Sequence, residues 1–154
     1  MHLHALLAEG PADGGDVAPV LLEELAKLRP APAVVAWLAV QQPADLFLSA
    51  ITLGEIDIGA RAHPDPERRD RLLAWCDGLQ NSLFRDRVLP FDADVARAWG
   101  DLVQSSRSHG RTLEWRDSQI AATAARFGGS LATRNARHFV GLGLDLVDPF
   151  AAST

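Results

Sequence analysis

Two carboxylates stand out by their position in the chain. Glu55 lies in an otherwise apolar helical stretch with Ile51, Ile56 and Ile58, and Asp117 opens the alanine-rich run Asp117-Ser118-Gln119-Ile120-Ala121-Ala122-Thr123-Ala124. Downstream, a short apolar segment closes on Thr133-Arg134-Asn135. Acids gathered at strand ends suit Mg²⁺ or Mn²⁺, hard cations that prefer oxygen ligands. Such a cation polarises a phosphodiester and acidifies a bound water. Each residue also has a plainer reading. Glu55 could sit on a solvated helix face, Asp117 could serve as an N-cap or helix-dipole partner, and Asn135 could cap a turn. Competing chemistries lack their motifs. The chain has no Gly-x-Ser-x-Gly, no Cys–His pair with family spacing and no glycine-rich phosphate loop. The histidines are scattered, and the His2/His4 pair reads as an ordinary terminus more readily than as a metal clip.

The elements that would carry these residues follow from periodicity and breakers. Residues 1–19 hold the run Glu9-Gly10-Pro11-Ala12-Asp13-Gly14-Gly15-Asp16 and read as a loop-like, divergent segment. A helix is expected over Leu21 to Leu28, ending before Pro30, and a second from Ala33 to Gln41. Leu46-Phe47-Leu48-Ser49 reads as a buried strand, with Thr52 as the N-cap of a helix to about Ala62, or a start a few residues earlier. Glu67 to Phe84 reads as one long amphipathic helix, and Arg87 to Phe91 as a strand. Asp92 caps a helix bearing Val95, Trp99 and Leu102. The Asp117 helix runs to Phe127 and stops at Gly128-Gly129. Ser130 to Thr133 and Leu144 to Val147 complete the strands. Short apolar strands alternating with helices mean a parallel sheet covered by helices, whose functional crevice lies at the C-terminal strand ends.

Composition sets bounds on this reading. The 154 residues fit one domain, which would bury about two-thirds of its unfolded surface. The single cysteine, Cys76, rules out an internal disulfide and a cysteine-based zinc site. No apolar run has the length of a membrane span and no basic-then-apolar leader opens the chain, so a cytoplasmic location is expected. The net charge of −5 argues weakly against nucleic acid as a partner. Arginines concentrated from Arg61 to Arg116, with Arg126, Arg134 and Arg137 beyond, moderate that argument.

Several segments, in order, resemble the PIN-domain nucleases and within them the VapC/FitB-like toxins. Glu24-Leu25-Ala26-Lys27-Leu28-Arg29-Pro30 is similar to the family's first-helix stretch. Leu48-Ser49-Ala50-Ile51-Thr52-Leu53-Gly54-Glu55-Ile56 and the Asp117 helix are similar to the segments carrying the family's second and third acids. Thr133-Arg134-Asn135-Ala136-Arg137-His138-Phe139 resembles the closing pattern, with His138 at a position the family fills with Asp or His. The resemblance spans roughly Leu21 to Phe150 and divides the chain into residues 1–19, a PIN domain over 20–150 and a tail over 151–154.

That resemblance implies a three-layer α/β/α fold with a central parallel sheet of about four to five strands. It implies a toxin-type, Mg²⁺-dependent endoribonuclease with Glu55 and Asp117 as catalytic and metal-binding residues. Thr133, Arg134 and Asn135 would support the site or contact RNA. An antitoxin partner and a homodimer are implied too, with Trp37 and Trp75 as candidate interface residues, although core is the plainer reading of each. One family feature is missing. Members open with Asp-Thr-Asn after the first strand, whereas ungapped alignment from Glu24 puts Ala18 and Val20 at the Asp and Asn positions. Three readings stay open: Asp16 supplies the ligand, His2–Ala8 is the first strand with Glu9 at its end, or the ligand is lost. The last would leave a PIN-fold remnant that binds antitoxin or RNA without cleaving.

Overall fold

The computed structural model describes residues 4–6, 31–134 and 136–151. The helix expected at Leu21–Leu28, the candidates Glu9, Asp16 and Ala18, and Asn135 lie outside the described residues.

Five short strands form one sheet: β1 (His4–Leu6), β2 (Leu46–Ser49), β3 (Val88–Leu89), β4 (Ser130–Ala132) and β5 (Leu146–Val147). Their order is β3-β2-β1-β4-β5, and every pairing is parallel. β1 is central: Leu6 lies beside Leu48 on one side and Ala132 on the other. Part of the segment set apart as residues 1–19 therefore belongs to the sheet. Three residues give little local strand signal, so pairing with β2 and β4, far away in the chain, must decide their conformation.

The helices are α1 (Pro32–Ala39), α2 (Ala50–Ala62), α3 (Pro66–Gly78), α4 (Ala93–Ser108) and α5 (Trp115–Phe127). Three differences from the sequence expectations have local causes. α2 is capped by Ser49, whose hydroxyl accepts from the Ile51 N–H, so it starts directly at the end of β2, and Thr52 lies inside it. The expected long helix from Glu67 becomes α3 followed by a π-helical turn, Leu79–Leu83, which seats Leu79 and Phe84 in the core. α5 starts two residues before Asp117, with Glu114 as its N-cap. Gly128 ends α5 with φ +68°, the left-handed conformation that glycine adopts without Cβ strain.

Two apolar clusters hold these parts together. Val34, Leu46, Leu48, Ile56, Cys76, Leu79 and Phe84 join α1, β2, α2 and α3. Trp37 and Trp75 pack against this cluster, half-buried, as core residues do. Ile120, Ala121, Ala124, Leu131 and Phe139 join α5, β4 and the turn after it. Full burial of an Ile, Leu or Phe is worth about 1.5–3 kcal/mol each, so this second cluster firmly ties α5 to the sheet. The alanines allow close approach, and α5 also touches α2.

Candidate functional site

Parallel pairing sends the C-terminal ends of all five strands to one edge of the sheet. β2 leads at once into α2, where Glu55 lies between the buried residues Thr52 and Ile56. Glu55 is only 5% exposed, so the solvated-face reading fails. Its Oε1 lies 3.5 Å from the Arg116 guanidinium of α5. Its Oε2 and the Thr52 hydroxyl are buried without a hydrogen-bond partner among the described residues. An unpaired buried polar atom costs about 1–3 kcal/mol, so something outside these residues is wanted there. Burial pushes the Glu55 carboxyl up to about 7 against the opposing pull of Arg116, and the charges of Asp117 and Glu114 add to the rise.

Asp117 stands one residue beyond Arg116, in the first turn of α5. The plain reading made it the helix cap, but Glu114 fills that role, its carboxylate accepting from the Asp117 N–H at 3.0 Å. The Asp117 side chain is thereby left for other contacts. Its Oδ2 accepts from His138 Nδ1 at 3.1 Å, which fixes the proton on Nδ1 because an ionised carboxylate can only accept. Burial raises the Asp117 carboxyl, the His138 bond opposes that rise, and the Glu114 charge reinforces it.

His138 ends a 3₁₀ turn, Ala136–His138, just after β4. With Asp117, Glu114, Arg111 and Arg137 it lines a cleft of about 320 Å³. Arg111 crosses to this turn and donates to the Val140 carbonyl at 2.6 Å. Gly141, at φ +81°, permits that approach, since a Cβ there would stand 2.7 Å from the guanidinium. Thr133 directly follows β4, is buried, and its N–H donates to the Val147 carbonyl at 2.8 Å. Arg134 is exposed, its guanidinium 5.0 Å from the centre of the Phe150 ring.

The fold brings the Asp117 charge close enough to Glu55 to raise its carboxyl. Arg116 and Glu114 were not singled out from sequence, and Thr52 was read only as a helix cap. Arg116 carried a usable signal, lying next to an acid at a helix start, but its partner across the fold is visible only in three dimensions. Among the described residues no group of three or more His, Cys, Asp or Glu is placed to share a metal ion. The two-carboxylate set nonetheless fits a hard cation in chemistry. It is all oxygen, the Asp117 charge raises the Glu55 carboxyl, and one buried Glu55 oxygen lacks a partner among the described residues.

A parallel α/β sheet with acids at its C-terminal edge defines a class of site, and comparison with known proteins gives the family. The PIN domain family model matches residues 20–141. The VapC ribonuclease Y4jK of Sinorhizobium fredii is 37% identical over 84% of this chain and 93% of its own length. The toxin FitB of Neisseria gonorrhoeae is 32% identical over 80% of this chain and 90% of its own. A solved structure of FitAB bound to an IR36 DNA fragment superposes with a TM-score of 0.82 at 27% identity, over 97% of this chain and 98% of that one. The chain belongs to the PIN-domain family, with VapC and FitB toxins among its homologues. No helix among the described residues is long and apolar enough to cross a membrane.

Proposed function

We propose that this protein is a toxin-type endoribonuclease that hydrolyses RNA phosphodiesters with Mg²⁺ or Mn²⁺ in the cytoplasm. The observation that carries this reading is Glu55: a buried acid with one oxygen unpartnered among the described residues, its carboxyl raised by the charge of Asp117 across α2 and α5. Glu55 and Asp117 would hold the cation. When bound, it supplies positive charge to the phosphodiester and acidifies water. The protein's own groups do the rest. His138 orients the Asp117 carboxylate, as a hydrogen-bonded neighbour of a ligand does. Arg116 and Arg137 offer forked donors for phosphate, and Arg134 is exposed for the same purpose. Thr133 and Asn135 would support the site from the end of β4.

The relative named as a toxin, and the FitAB complex among the similar structures, support an antitoxin partner for this chain. The homodimer is part of the same proposal. The missing family acid has a candidate in Glu9, which follows the last residue of β1 by three positions in sequence. Asp16 and Ala18 come later still. Glu9→Ala should then lower Mn²⁺ affinity in calorimetry, and equal affinity would remove Glu9 from the site.

A second reading is a PIN-fold protein that binds without cleaving. The two-carboxylate count among the described residues and Ala18 at the family Asp position favour it. RNA cleavage by the purified chain in Mg²⁺ or Mn²⁺ separates the two readings, with EDTA and Asp117→Ala as controls. Metal-dependent cleavage lost in the variant supports the nuclease. No cleavage by folded protein, with cleavage appearing in Ala18→Asp, supports the impaired form.

A further inference from the structure

The large exposed hydrophobic nearest the carboxylates in sequence is Trp115, the first residue of α5, which leaves 62% of its surface in water. It is not loosely attached. The Trp99 ring stands edge-on to it, centroids 4.4 Å apart at 85°. Trp99 is itself fixed, since its Nε1 donates to the buried Ser118 hydroxyl at 2.9 Å and Phe91 packs against it at 6.0 Å. The chain thus braces an indole while leaving most of it uncovered. Arg116, which reaches Glu55, is the next residue, and Asp117 follows it. Two residues advance a helix by about 3 Å and turn it by about 200°, and a helix is about 10–12 Å across, so Trp115 and Asp117 leave the first turn of α5 on different sides within about one helix width.

A protein hot spot is normally a dry apolar cluster. Trp115 instead has exposed, charged chain neighbours, Glu114 and Arg116, with Arg111 and Arg137 in the adjoining cleft. A rigid aromatic surface flanked by arginines is how proteins hold unpaired nucleotides: bases stack and phosphates pair with guanidinium groups. We propose that Trp115 is a base-stacking residue for single-stranded RNA, receiving the base of a nucleotide that flanks the phosphate held at Glu55 and Asp117. The proposal rests on the nuclease reading for its substrate class and adds that the substrate must be unpaired beside the cut.

The test is anisotropy of a fluorescein-labelled oligouridylate with the full chain in EDTA, where no cleavage occurs. Trp115→Ala should weaken binding by about fivefold to about 150-fold, the range for one stacked base, and Trp115→Phe should restore most of it. A labelled RNA duplex should bind wild type and Trp115→Ala alike. Equal binding of oligouridylate by wild type and Trp115→Ala overturns the proposal, as does an equal loss on duplex and single strand. So does an Ala variant that keeps its RNA affinity but turns from dimer to monomer, which would make Trp115 a contact between copies. Cleavage assays keep the two claims apart. Trp115-dependent binding without any cleavage leaves stacking standing and sinks the nuclease; cleavage that Trp115→Ala does not alter, with unaltered binding, does the reverse.

Discussion

The two helices that carry the acids treat them differently. On α5 Asp117 is served by its neighbours: Glu114 relieves it of capping and His138 binds one oxygen. On α2 Glu55 sits between Thr52 and Ile56, one oxygen 3.5 Å from the Arg116 guanidinium, the other unpartnered among the described residues, and its carboxyl pushed up to about 7. One acid stands in an organised polar site, and the other is buried with its hydrogen bonding incomplete. A stable fold has no use for the second arrangement, which is why Glu55 says more about function than the better-satisfied Asp117.

The comparison breaks most sharply at Asp117. Asp117→Ala should reduce metal-dependent cleavage by at least about 100-fold while stability changes by no more than about 1 kcal/mol. Cleavage kinetics beside a urea melt checks both, and unchanged cleavage removes Asp117 from the site.

Glu55 should show the opposite behaviour in stability. Its folded carboxyl titrates near 7 against an ordinary value of 4.5, so between those pH values the native chain keeps a proton that the unfolded chain has lost. Stability contributed by the neutral group is whole below about 4.5 and falls as pH rises towards 7, by up to about 3 kcal/mol. Glu55→Gln should therefore melt higher than wild type at pH 8 and about equally at pH 4. Equal melting at both pH values would mean that the Arg116 pair, or water, offsets the burial of Glu55.

His138→Ala sharpens the contrast by stripping a hydrogen-bond partner from Asp117, which leaves it more like Glu55. Without the bond that lowers it, the Asp117 carboxyl should rise further, moving the acid limb of the pH–rate profile upward and reducing cleavage about tenfold. An unmoved limb would reduce His138 to a packing residue.

Much of this was legible from residue order. Leu46–Ser49, the Asp92 cap, the Gly128 stop and the two acids set in apolar helices are local signals that the residue order carries. The π turn after Gly78 was hidden because Glu67 to Phe84 keeps an unbroken helical pattern, and the core sites of Leu79 and Phe84 decide the switch. Glu114 was missed because Glu is an uncommon N-cap, so Asp117 looked like the better one. Arg116–Glu55 joins residues far apart in the chain and leaves no spacing to read. The central strand was visible only as an alternative, since His4–Leu6 gains its conformation from β2 and β4.

The central claim is that Glu55 and Asp117 together form one divalent-cation site. Calorimetric titration of Mn²⁺ into the full chain tests it most directly, with Glu55→Gln and Asp117→Asn alongside. The account predicts one site per chain, weakened in each variant and not weakened further when both are combined. A cation bound equally by all four proteins, or by none, would contradict it.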